Sequence, residues 1–423
     1  MVAEPVIAPE PEFVPVRWDL VHNAEGWSLQ PAVSWLVASG RRAKDMKEVV
    51  AGSAKVLRMG DAPLRRLRIT TLTLHPQVNA WGGEWDEAKG ADQVDFPFSA
   101  IPSPAFIGSP IDIMRRTQKP FRRQLEGELG PDDHKLLHEL KEEGLTDYYA
   151  TALMGENAAT GFVTYATDRA GGFNELDIAK LDTFALFVAP TVDMVNRRRI
   201  AATLLDTYIG HRAGERVLDG HIKRGDGEKI RAAFWYSDLR NFTGLNEDLP
   251  ADQMIDTLNT YFGVVGDAIM SRGGEVLQFI GDAVLAIFPC EMNEDDTRRA
   301  CRTAYDAAQE ALAKIAEKNQ IRREAMLPEI HFGIGLHVGD VTFGNVGSDA
   351  RLGFNVVGPA VNLTARLETL SKRALVPMLI SAAFAAFVDK PLWPVGTFEV
   401  QGVREMQEVF TAADLVEGEV MSG

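Results

Sequence analysis

The stretch 273–289, GGEVLQFIGDAVLAIFP, constrains this chain more than any other. Two short apolar runs, 276–280 and 283–288, meet at Gly281-Asp282, a spacing that predicts a hairpin with one carboxylate at its tip. An acid held by two buried strands is fixed in place yet reachable from solvent, as a metal ligand must be. Gly and Asp also form turns for conformational reasons alone. The hairpin therefore gains a chemical meaning only from what surrounds it.

Its surroundings read as a mixed sheet with helices outside. Residues 230–237 (IRAAFWYS) form a strand ending at Asp238, and 252–271 form an amphipathic helix with Met254, Leu258, Tyr261, Phe262 and Val265 on one face. After the hairpin come a long Ala-rich helix over 295–318 and a second strand pair, 330–337 and 341–346, joined near Gly339-Asp340. A helix over 358–371, a strand at 378–380, a helix over 382–388 and strands at 398–400 and 409–411 complete the pattern. The class is α+β with a ferredoxin-like core.

Upstream, residues 1–15 are rich in Pro and Glu and read as a disordered arm. Two helices separated near Gly40 precede a strand at 66–74. The Gly-, Pro- and Asp-rich stretch 76–110, with Trp81 and Trp85, predicts loop with short strands. A helix at 134–143 and a strand pair, 146–153 and 161–167, follow. This order resembles a GAF-type regulatory domain over 16–190, which implies a small-molecule or protein regulator. A helical repeat through Leu176, Leu181, Phe184, Val188 and Val192, kinked by Pro190, and a second helical run at 200–209 lead into a helical dimerisation and transducing linker over 191–228. The last domain is then 229–423.

Length and composition narrow the functions. At 423 residues the chain holds two or three domains, and a net charge of −16 argues against nucleic acid or anionic membrane as partner. Cys290 and Cys301 are the only cysteines, too few for a disulfide framework or a cysteine-rich zinc site. With no signal-peptide pattern and no apolar run of ~18 residues, a cytoplasmic location is expected.

Asp238 ends one strand as Asp282 ends its neighbour. If these strands pair, the two carboxylates converge closely enough to share two hard divalent cations, Mg²⁺ or Mn²⁺. Behind Asp238, residues Asn241, Phe242, Thr243 and Gly244 turn into a helix whose free N–H groups suit a phosphate. Asn362 and Arg366, spaced i, i+4, project from one helix face. Asn can orient a ribose hydroxyl, and Arg can neutralise charge growing on phosphorus.

Four segments in this order, SDLRNFT, GGEVLQFIGDAVLAIFP, GIGLHVGDVTFGNVG and VVGPAVNLTARLE, resemble the catalytic domain of class III nucleotidyl cyclases over 229–411. The resemblance implies a homodimer with active sites at the interface, two-metal catalysis, and a cyclic nucleotide plus pyrophosphate as products. Asp238 and Asp282 match the family's metal ligands; Asn362 and Arg366 match its ribose-orienting and transition-state residues, supplied by the partner chain. The segment RAGERVLDG, within 211–229, resembles the short transducing linker preceding such domains. Gln278 stands where adenylate-specific members place Lys, and Asn355 at the companion position. Both amides donate or accept and so can read either purine; the Glu-Cys pair associated with guanylate cyclases is absent, which leaves ATP as the expected substrate and GTP as the alternative. Pro359 replaces a frequent Asp, and Arg404 is the nearest candidate for the family's triphosphate-binding Lys. A weakly active nucleotide-binding scaffold is the remaining alternative.

Overall fold

The computed structural model describes residues 16–23, 25–155, 159–290, 293–348, 351–400 and 405–416. The expected arm at 1–15 and Arg404 lie outside them. Contacts divide the chain into two units, Met1–Leu204 and Leu205–Gly423.

In the first unit α1 (Trp18–His22), α2 (Gln30–Ala38) and α3 (Met46–Met59) precede β1 (Arg66–Leu72), β2 (Val78–Asp86) and β3 (Gly90–Pro97). Then come α4 (Pro110–Thr117), β4 (Phe121–Gln124), α5 (Lys135–Glu142), β5 (Asp147–Met154), β6 (Ala159–Thr167) and α6 (Glu175–Ile209), whose last residues enter the second unit. The strands form one antiparallel sheet in the order β3-β2-β1-β6-β5-β4. One face buries Leu67, Ile69, Trp81 and Tyr165 against residues of α2, α3 and α6 such as Leu36, Val50, Phe184 and Val188. The other packs Tyr148 and Ala150 on Met114, Leu137 and Leu140.

Two expectations change here. The stretch 76–110 holds a hairpin of nine- and eight-residue strands rather than loop with short strands. Gly82 sits in mid-strand because a Cβ there would lie 2.1 Å from the Ile69 carbonyl; close backbone approach, not a turn, calls for the glycine. The two helical runs after Asn174 are one 35-residue helix with Pro190 inside it. The polar NRRR stretch that reads as a break stays helical, with Arg197 paired to Asp193 at 2.7 Å and Arg199 to Asp95 at 2.9 Å.

The second unit begins with α7 (His211–Leu218) and β7 (Gly227–Leu239), followed by α8 (Phe242–Asp248), α9 (Ala251–Met270), β8 (Glu275–Ile280), β9 (Ala283–Cys290) and α10 (Glu294–Glu324). β10 (Phe332–Ser348), β11 (Arg351–Val357), α11 (Pro359–Ala374), β12 (Met378–Ser381), α12 (Ala382–Ala385), β13 (Leu392–Phe398) and β14 (Gln407–Ala412) complete it. The sheet runs β13-β14-β12-β10-β7-β9-β8, and β11 pairs with β10. Odd positions of β7, Ala233 and Trp235, pack with residues of α9 and α10 in the larger core. Even positions, Ala232 and Phe234, face the other side with Leu285, Ile287 and Phe343. The expected strand pair joined at Gly339-Asp340 is instead one 17-residue strand, β10. Gly339 faces helix α11, where a Cβ would meet that of Ala360 at 2.9 Å, so its small size serves packing. Among the described residues no helix is long and apolar enough to cross a membrane.

Candidate active site

β7 is central, paired to β9 on one side and β10 on the other, with Asp238 opposite Ala283 and Gly333. Ser237 anchors this strand end: its buried hydroxyl accepts from Trp235 Nε1 at 2.9 Å and lies 2.8 Å from the Tyr261 hydroxyl. Asp238 points to the opposite face because side chains alternate along a strand. Asp282 follows Gly281, whose φ of +65° is a left-handed turn conformation that favours glycine. The β8–β9 hairpin thus delivers Asp282 beside Asp238, so the two carboxyl groups interact. Burial first, then the neighbouring Asp238, pushes the Asp282 carboxyl up to about 6.

Among the described residues no third His, Cys, Asp or Glu joins them into a closed cluster. Two carboxylates alone suit Mg²⁺ or Mn²⁺, which keep waters and take further oxygens from a phosphate substrate. The donor set fits such ions and not a closed structural site.

Behind Asp238, Asn241 stands at the N-cap position of α8 with φ +57° and makes no side-chain capping bond. The N–H groups of Phe242, Thr243 and Gly244 precede the first helical bond, from Leu245 N–H to the Asn241 carbonyl at 3.0 Å. Gln278 lies on exposed strand β8. A register shift between Val276 and Gln278 pairs Gln278 with Leu285. Without that bulge Gln278 would face α9; with it, the side chain joins the face that carries Leu285, Tyr236 and Asp238. Asn355 is exposed on β11 opposite Gly344, and its Oδ1 accepts from the Val356 N–H at 3.2 Å.

Helix α11 divides its residues between two faces. Glu368 is buried and pairs with Arg240 at 3.0 Å, and Lys372, four residues on, reaches Asp238 at 3.4 Å. Asn362 and Arg366 lie on the outward stripe with Thr369 and Arg373, and neither has a side-chain partner among the described residues. About 200° of helix separates Arg366 from Glu368, so the structure does not gather Asn362 and Arg366 with this chain's own acids.

Arg240, Glu368 and Lys372 escaped the sequence reading as site neighbours. Glu368, which reads as part of a polar surface, is 1% exposed. The i, i+4 spacing of Glu368 and Lys372 was the available signal. Burial pushes the Glu368 carboxyl to about 7, with Lys372 and Arg240 opposing and Asp238 and Asp282 adding to it. An acid raised from its usual 4.5 binds its proton more tightly folded than unfolded, so stability falls as pH rises from about 4.5 to about 7 and is level above. Glu368→Gln is expected to flatten that part of the melting-temperature profile, worth on the order of 3 kcal/mol. Parallel profiles for variant and parent would contradict it.

Residues 228–411 match the family described as adenylate and guanylate cyclase catalytic domain. Adenylate cyclase 1 of Rhizobium meliloti (strain 1021) is 26% identical over 274 residues, covering 63% of this chain and 40% of that protein. The adenylate cyclase of Anabaena cylindrica is 33% identical over 175 residues, covering 40% of this chain and 33% of that protein. The chain thus spans well under half the length of these relatives. A solved bacterial light-regulated adenylyl cyclase is 30% identical, covering 44% of this chain and 92% of that one, with a TM-score of 0.38. Residues 228–411 of this chain belong to the adenylate and guanylate cyclase catalytic domain family.

Proposed function

We propose that the chain converts ATP to 3′,5′-cyclic AMP and pyrophosphate at the interface of a homodimer. The observation that carries this reading is the adjacent pair Asp238 and Asp282, two partly buried carboxyl groups side by side, an electrostatically costly arrangement that a pair of divalent cations would relieve. Bound there, the cations would acidify the ribose 3′-hydroxyl and neutralise the triphosphate. The N–H groups of Phe242, Thr243 and Gly244 donate to triphosphate oxygens, and Lys372 adds a positive charge beside them. Asn362 of the second chain orients the 3′-hydroxyl, and Arg366 of that chain meets the charge gathering at the α-phosphorus. The 3′-oxygen bonds to that phosphorus as its bond to the bridging oxygen breaks; pyrophosphate leaves and the hydroxyl proton passes to solvent.

The outward stripe of Asn362 and Arg366 favours the dimer. So do Ile280, Val346, Leu352 and Val357, large apolar side chains left 37–55% exposed on the sheet and its β10–β11 extension. The GAF-like unit is read as the regulator, acting through α7. There the Arg212 N–H donates to Glu275 at 2.8 Å, three residues before Gln278.

The test is product analysis after incubation with ATP or GTP and Mn²⁺ or Mg²⁺; cyclic AMP is expected, and no cyclic product from either nucleotide would refute the reading. Gln278→Lys is expected to shift relative turnover about tenfold toward ATP, because an ammonium donates to adenine N1 but opposes the guanine N1–H. An unchanged ratio would remove Gln278 from base recognition.

A further inference from the structure

Among the described residues, no cation pairs with one half-buried carboxylate of the N-terminal unit. Asp182, on α6, accepts a 2.6 Å hydrogen bond from the Tyr149 hydroxyl. Burial raises its carboxyl above the usual range, with the Tyr149 hydroxyl and Thr151 opposing, and among the described residues no charged group contributes. A carboxylate so placed costs free energy that an incoming cation would recover.

Asp182 borders a cleft of about 490 Å³. The cleft exists because β4 pairs with β5 only as far as Phe121 opposite Ala150, leaving the following β5 residues without a neighbour on that edge. Met114, Ala152, Phe162, Ala185 and Leu186 give it apolar walls, and exposed Lys119 stands among its lining residues. Volumes of this size hold small organic molecules, with apolar walls supplying affinity and a few polar groups fixing orientation.

We propose that this cleft binds a small organic cation, an ammonium on an apolar body about the size of a phenylalkyl group, with Asp182 as its counter-ion. The site lies wholly within the first unit, and its occupancy is measured without nucleotide, so its failure and that of the cyclase reading are separable. Ammonium chemistry could come from a simple amine or from an amino acid whose carboxylate meets Lys119.

Calorimetric titration of the full chain with phenethylamine, phenylalanine, 2-phenylethanol and phenylacetate distinguishes these. Saturable binding of at least one ammonium compound is expected, with neither phenylethanol nor phenylacetate binding; preference for phenylalanine over phenethylamine would identify the amino-acid form. Asp182→Asn, which keeps an acceptor for Tyr149, should weaken binding at least about tenfold. Leu186→Trp, at a 42% exposed position, should block the cleft with the carboxylate intact. Melts of both unliganded variants check that they fold. No saturable binding of either ammonium compound, equal binding of phenylethanol, or unchanged affinity in a folded Asp182→Asn protein would overturn the proposal.

Discussion

Asp282→Asn is expected to reduce cyclic nucleotide formation at least about 1,000-fold, the loss of several kcal/mol of transition-state stabilisation, while leaving the fold no less stable. The two effects have opposite signs for one reason. Asp282 and Asp238 sit side by side, and burial first, then the neighbouring Asp238, raises the Asp282 carboxyl to about 6. Without cations, an amide at 282 can donate a hydrogen bond to Asp238 and removes a like charge, a gain of about 1 kcal/mol after solvent screening of this partly exposed pair. A carboxylate kept for stability would give the reverse. Paired assays of turnover and thermal melting decide it, and a variant that melts well below the parent while retaining turnover would make the hairpin tip structural.

The second large effect concerns which chain supplies which residue. Asn362 and Arg366 lie on the outward side of α11, whereas Glu368 and Lys372 turn toward this chain's own Arg240 and Asp238. Arg366→Ala is therefore expected to lose about 100- to 1,000-fold in turnover, as removal of a transition-state donor does. Mixing Arg366→Ala with Asp282→Asn subunits should restore activity. In an equal, fully exchanged mixture half the dimers are mixed and each holds one intact site of two, so recovery reaches about a quarter of the parent rate. Recovery absent from a mixture shown to form mixed dimers would place Arg366 in the same site as its own chain's acids.

The parts of this site that local sequence determines were the legible ones. Gly281-Asp282 between two apolar runs specifies a hairpin tip, and the β-rich run ending at Asp238 specifies a strand end; neither depends on distant packing. The i, i+4 pair Asn362 and Arg366 was equally local. What escaped depends on tertiary fit. Gly339 punctuates the sequence like a turn, yet it is where α11 approaches an unbroken β10. Gly82 likewise serves close backbone approach inside β2, hiding a long hairpin in a loop-like composition. The face on which Gln278 lies is set by a one-residue bulge that leaves no mark in the alternation of side chains. Glu368 becomes a buried ion-pair partner of Arg240 only when α11 covers the end of β7.

Counting metal ions at the acid pair tests the proposed chemistry most directly. Mn²⁺ titration of the full chain with a non-cyclisable ATP analogue, followed by electron paramagnetic resonance, should give two bound ions per active site in the parent and loss of both high-affinity ions in Asp282→Asn, as expected for a two-metal site. Equal Mn²⁺ binding by the two proteins would contradict the assignment of Asp238 and Asp282 as the metal-holding pair.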